Sequence, residues 1–228
     1  FTSEAQTKGI NDLDPVVEHK IDSILELMAV KEKVGQMVQY NGSFDVTGAP
    51  SDIDSKTKLQ KLKNGEVGSM LNVLTAEATR EAQQVVMENS RLKIPLLFGY
   101  DVIHGYKTMF PVPLGESASW DLEAMELSAS IAAKETAAAG VHWTFAPMID
   151  VSRDARWGRI MEGAGEDPYL NAVIGVARIK GFQGSDLADV ATIAACAKHF
   201  AGYGFAEAGR DYNTVNVGTS ELQNAILM

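Results

Sequence analysis

Four ionisable residues stand just beyond apolar runs that read as buried strands. Asp101 follows LLFGY, Arg159 lies beyond WTFAP, and Lys198 and His199 follow TIAACA. When parallel strands alternate with helices, the loops after the strands converge on one mouth, and ligands bind there. Any one of these side chains has an ordinary explanation. An Asp after a strand commonly caps a helix or anchors a loop, and a strand-end Lys commonly faces solvent. Their shared placement is what points to a site. His104 is near enough to Asp101 to support it. His142 falls at a strand start, towards the opposite end, and reads as structural.

The stretch Val141–Tyr169 concentrates further charge after such a strand, including Asp150, Arg153, Asp154, Arg156, Glu162 and Glu166. Alternating guanidinium and carboxylate groups suit a neutral ligand rich in hydroxyls, which needs both donors and acceptors. Most of these charges are expected to pair with one another and order the loop. The glycines form neither GxGxxG nor a P-loop, so no nucleotide is indicated. No His, Cys and carboxylate cluster has metal-ligand spacing, and no cofactor is implied. Trp157 and Trp120 could offer stacking faces to such a ligand, although both read as buried aromatics. Ser51-Asp52 and Ser185-Asp186 sit in polar loops and read as turns or caps.

The elements that must hold these groups follow from periodicity and punctuation. Asp14-Pro15 starts a helix whose Val17, Ile21, Ile24, Leu25 and Met28 share one face. Val34–Tyr40 reads as a short helical turn running into a first strand, and further strands are expected at Glu66–Leu71, Ile94–Tyr100, His142–Ala146 and Thr192–Ala197. Helices are expected at Lys56–Lys63, Ala76–Ser90, Asp121–Ala139 and Pro168 to about Lys180, with a further one starting at Ser220. The class is α/β with a parallel sheet. About five βα units are present where a closed (β/α)8, TIM-type barrel has eight, so residues 1–228 read as the first part of one barrel domain.

Composition narrows the partners. The 228 residues carry a net charge of −10, with 46% hydrophobic and 22% charged residues, ordinary for a soluble globular chain. The acidic balance argues against nucleic acid and against an anionic membrane surface. There is no apolar run of transmembrane length and no signal peptide. The single cysteine, Cys196, reads as a small core residue.

APMIDVSRDARWGRIMEGAGEDPYL closely resembles the corresponding stretch of glycoside hydrolase family three, the β-glucosidase-like enzymes. KVGQMVQ, IPLLFGYDVIHG, FPVPLG and AACAKHFAGYGFAEAGRDYNTV resemble the same family in the same order. The resemblance implies that Asp101, Arg159, Lys198 and His199 bind the glycosyl unit at the subsite of cleavage. It also implies a parent enzyme that removes terminal β-D-glucosyl units from β-glucosides or oligosaccharides, with retention, through a covalent glycosyl-enzyme. A periplasmic or secreted location follows by the same analogy.

In that family the nucleophile is an Asp in a late Ser-Asp segment, and the acid/base of the glucosidase branch comes from a following domain. Both are expected beyond Met228, so this chain is expected to lack the two catalytic carboxylates and to be inactive alone. Its implied partners are the missing barrel segment and the following domain, and the isolated piece is expected to self-associate. The β-N-acetylhexosaminidase branch is an alternative, but it carries a histidine where this chain has Tyr203. A complete, non-catalytic sugar-binding or scaffolding module is the competing class.

Overall fold

The computed structural model describes residues 14–42 and 55–227. Four parallel strands lie side by side in chain order: β1 (Gln39–Asn41), β2 (Ser69–Leu71), β3 (Leu97–Tyr100) and β4 (Trp143–Thr144). Register runs Tyr40 to Met70 to Phe98 and then Gly99 to Trp143. Each strand is followed by helical structure, the arrangement of a βα-barrel.

The helices begin where the sequence places caps. α1 (Pro15–Leu27) starts with the Asp14 carboxylate accepting the Val16 N–H at 2.9 Å and proline at the first position. α2 (Val30–Gln36) leads into β1, and α3 (Ser55–Lys63) precedes β2. α4 (Ala76–Asn89) is capped by the Thr75 hydroxyl. α5 (Pro113–Ser117) lies inside the long connection after β3, which the sequence reads as a loop. Asp121 caps α6 (Leu122–Ala138), and Asp167 caps α7 (Pro168–Gln183) at 2.7 Å from the Leu170 N–H. These caps satisfy helix-end donors that would otherwise lack partners. α8 (Thr219–Glu221) runs into a wider turn over Leu222–Ile226.

The fifth strand expected over Thr192–Ala197 is only partly realised. It follows β4 through two isolated parallel bridges, Trp143 with Ala194 and Met148 with Lys198. The pairing offset shifts by one residue between them, and Pro147, within the bulged segment, has no N–H to give to a ladder. The Pro147 carbonyl instead accepts the Lys198 N–H at 3.0 Å.

One core cluster, with Val67, Met70, Val86, Leu96, Phe98 and Val141, lies between β2–β3 and α4. A second gathers Val102, Ala129, Ala132, Ala133, Phe182 and Ile193 beneath α6 and α7. The two helices approach closely because Gly181 has no side chain. A Cβ there would stand 2.3 Å from the Glu126 carbonyl oxygen and 2.7 Å from the Ala129 Cβ. Gly140, at φ +80°, ends the α6 turn, and a Cβ there would meet the Thr79 hydroxyl at 2.4 Å.

Two sequence expectations meet a different outcome. The apolar stripe of α1 exists, but Val17, Ile21, Ile24 and Leu25 are exposed among the described residues, and only Met28 is buried. Trp120 is 75% exposed at a left-handed turn just before the Asp121 cap of α6, not buried. Ser51-Asp52 lies outside the described residues.

Candidate active-site cavity

The connection after β3 is fastened from several sides, and Asp101 stands at its root. The Val102 N–H donates to the Thr144 hydroxyl at 3.1 Å. Further along, the Glu135 carboxylate accepts the N–H groups of Lys107 and Thr108, both at 2.8 Å, and the Thr108 hydroxyl at 2.6 Å. The Arg178 guanidinium on α7 pairs with Glu116 of α5 at 2.7 Å and also donates to the Ile103 carbonyl. His104 does its holding locally, through a 3.0 Å bond to the Phe110 carbonyl.

Asp101, Arg159, Lys198 and His199 all line one cavity of about 670 Å³, within the usual size of small-molecule sites. Lys198 Nζ donates to Asp101 Oδ1 at 2.6 Å. Each side chain is mostly shielded from solvent. His199 is held by Asp150: its backbone N–H and its Nδ1 both reach Oδ2, at 3.0 and 2.7 Å. A carboxylate only accepts, so Nδ1 carries the proton in this bond.

Arg159 makes a two-pronged contact with Glu162, both bonds at 2.7 Å. The hydrogen bonds to Glu162 raise its pKa further, against the opposing effect of burial. The arginine is therefore a permanent cation in the cavity wall. Asp154 and Arg156 pair with each other instead, and the Asp154 carboxyl is held at about 2 by that guanidinium. Two pairs of charges thus meet within this loop, Asp154 with Arg156 and Arg159 with Glu162, while Asp150 turns to His199 and Arg153 to Glu221.

A second set of residues completes the cavity that spacing alone does not mark. Trp157 is buried, as expected, and its Nε1–H donates to Asp211 Oδ1 at 2.9 Å. Tyr203 donates its hydroxyl to the same oxygen at 2.5 Å. Its ring meets His199 edge-on at 4.7 Å and Trp157 at 5.1 Å, and Arg159 lies over it at 5.4 Å. Burial, then the Asp211 bond, pushes the Tyr203 hydroxyl well above its ordinary pKa, so it stays protonated and donates. For Asp211, burial opposes ionisation, but bonds from Tyr203 and Trp157 and the Arg159 charge outweigh it and lower the pKa. Cys196 also lines the cavity, half-buried, so its place is the site wall and not the core.

His142 lies at the other end of the sheet, stacked on Phe98 at 5.8 Å and accepting the Phe98 N–H at Nδ1. Asp186 closes its own turn by accepting the Ala188 N–H at 2.9 Å. Among the described residues no group of three or more His, Cys, Asp or Glu could hold a metal ion. No helix of the described residues is long and apolar enough to cross a membrane.

A parallel βα sheet with a cavity holding charged side chains at the C-terminal ends of its strands is the layout of a βα-barrel enzyme. Residues 29–228 match the family model for the glycosyl hydrolase family 3 N terminal domain. The chain belongs to glycosyl hydrolase family 3. The periplasmic beta-glucosidase of Salmonella typhimurium is 41% identical over 204 residues, covering 90% of this chain and 26% of that protein. A beta-xylosidase of Formosa agariphila is 33% identical over 174 residues, covering 71% of this chain and 24% of its own. The crystal structure of a beta-glucosidase from Listeria innocua in complex with isofagomine superimposes with a TM-score of 0.84. It is 40% identical and covers 92% of this chain and 29% of that one. The chain thus spans under a third of the length of these relatives.

Proposed function

We propose that this chain is the N-terminal barrel portion of an exo-acting β-glucosidase and supplies the wall that grips the glycosyl unit to be cleaved. The observation that carries this reading is the convergence of Asp101, Arg159, Lys198 and His199 on one cavity. Asp101 accepts hydrogen bonds from sugar hydroxyls, Arg159 and Lys198 donate to others, and His199 presents Nε2 to the ring. Bonds to charged partners contribute roughly 1.5–3 kcal/mol each. They assist the reaction where they tighten as the ring flattens towards an oxocarbenium-like state. The 2.6 Å pairing of Lys198 with Asp101 and the Asp150 bonds to His199 hold these groups ready before substrate arrives.

Retention requires a nucleophile and an acid/base roughly 5–5.5 Å apart. We assign both to polypeptide outside these residues, in keeping with the greater length of the relatives. The bond between Tyr203 and Asp211 favours the glucosidase branch over the hexosaminidase one, because a protonated phenol tied to a carboxylate replaces a titratable histidine. The periplasmic relative supports a periplasmic or secreted location. The xylosidase relative makes a terminal β-xylosyl unit the second substrate to compare.

The test uses the full-length enzyme with aryl β-glucoside and aryl β-xyloside, following the first-formed sugar anomer by NMR. Preference for the glucoside with β-glucose appearing first supports the reading. Preference for the xyloside, or an α-anomer first, contradicts it.

A further inference from the structure

The wall of the cavity continues beyond the glycone-binding groups onto one exposed ring. Tyr212 lines the cavity alongside Asp211, yet it is 85% exposed. It does not sit on a loose loop. Ala206 bridges to Val215 in antiparallel fashion, and the Glu207 N–H donates to the Thr214 carbonyl at 3.0 Å. The Asn213 N–H returns to the Arg210 carbonyl at 3.1 Å, and the Asn213 side chain donates to the Glu207 carbonyl at 3.1 Å. Tyr212 stands at the tip of this closed loop.

The tip is pinned from beneath. Buried Trp157 holds Asp211 at 2.9 Å, and Tyr203 holds the same oxygen at 2.5 Å. The Tyr203 ring lies tilted against Tyr212 with centroids 5.7 Å apart. Tyr212 itself adopts φ 59°, a left-handed conformation that a tyrosine rarely takes. Such backbone persists where surroundings over-determine it, commonly at binding sites. An aromatic ring pinned at the mouth of a cavity loses little conformational freedom on binding.

From this geometry we infer that Tyr212 is the platform of a neighbouring subsite, which stacks on the leaving part of the substrate and selects for a second pyranose ring there. The apolar C–H face of a sugar complements an aromatic face. The inference rests on the glucosidase reading and adds to it a specificity determinant for the aglycone.

The experiment compares kcat/KM for a β-linked diglucoside with that for methyl β-glucoside, in the full-length enzyme and in its Tyr212→Ala and Tyr212→Phe variants. Both substrates present the same glycone, and only one presents a second ring. Tyr212→Ala is expected to lower the diglucoside-to-methyl-glucoside ratio about five- to tenfold, the size of one ring contact, while Tyr212→Phe keeps the wild-type ratio. An unaltered ratio in Tyr212→Ala, or an equal drop in Tyr212→Phe, overturns the inference. Competitive inhibition by glucose in an Asp101→Asn variant separates the two readings. If glucose inhibits that variant as strongly as the wild type, the glycone assignment fails. If glucose inhibition is lost there but the Tyr212 ratio does not move, only the subsite fails.

Discussion

The backbone N–H and the Nδ1–H of His199 both end on a single oxygen, Asp150 Oδ2, at 3.0 and 2.7 Å. The Asp150 side chain is only 2% exposed, so it serves His199 and meets no solvent. It fixes both the position of the histidine backbone and the rotation of its ring, leaving Nε2 as the atom for a ligand. Asp150→Asn removes the charge while keeping the shape. It should lower kcat/KM on an aryl β-glucoside about 10- to 100-fold, equivalent to one charge-assisted hydrogen bond. The inhibition constant for glucose should rise with it. Unchanged kinetics would show that His199 needs no such support.

The buried pair of Arg178 and Glu116 joins α7 to the segment that follows Asp101. Burial pulls the Arg178 pKa below its ordinary value, and Glu116 works in the opposite direction. Removing the carboxylate strands a buried cation. Glu116→Ala should therefore cost about 3–5 kcal/mol of stability, read as a lower urea midpoint at unchanged slope. A loss below about 1 kcal/mol would mean that the pair behaves as a surface contact.

Much of this architecture is legible in the sequence because its signals are local. Asp14-Pro15, Asp121 and Asp167-Pro168 each mark a helix start that the structure keeps. The fifth strand is less legible, since its pairing partner contains Pro147 and the register slips beside it. At the site, the placement of Asp101, Arg159, Lys198 and His199 after apolar runs is a usable signal. Asp150 is visible only as one charge among many. Its role depends on a contact with a residue 49 positions away. Asp211 is harder still, because the Trp157 bond that defines it spans 54 positions. Chain periodicity reports which face a residue takes, not which distant side chain meets it there.

His142 gives a pH dependence whose sign can be worked out. Burial lowers its folded-state pKa below the ordinary value of 6.5, and its Nδ1 accepts the Phe98 N–H at 3.2 Å. The unfolded chain therefore takes up this proton more readily than the folded one. The stabilisation is complete above the unfolded value and is lost as pH falls below about 6.5. Urea midpoints measured from pH 7.5 down to 5.5 should fall less in His142→Gln than in the wild type. Identical slopes would remove His142 from the account.

Among the described residues β1 ends the sheet, and the apolar stripe of α1 lies open nearby in sequence. An exposed strand edge invites pairing with another chain, and uncovered apolar surface forfeits roughly 25 cal/mol per Å². Residues 1–228 expressed alone should self-associate, or unfold unless the rest of the barrel is supplied. Size-exclusion chromatography with denaturant unfolding checks this. A monomer with a cooperative, concentration-independent transition would contradict it.

The central claim is that the wall built by Asp101, Lys198, His199 and Arg159 grips the sugar being cleaved, and Asp101 is the carboxylate among them. The most direct measurement is kcat/KM of Asp101→Asn in the full-length enzyme on an aryl β-glucoside, with the thermal midpoint recorded in parallel. The account predicts a fall of about 100-fold or more, the worth of one or two charged hydrogen bonds, with folding retained. Wild-type kcat/KM in a properly folded Asp101→Asn enzyme would contradict it.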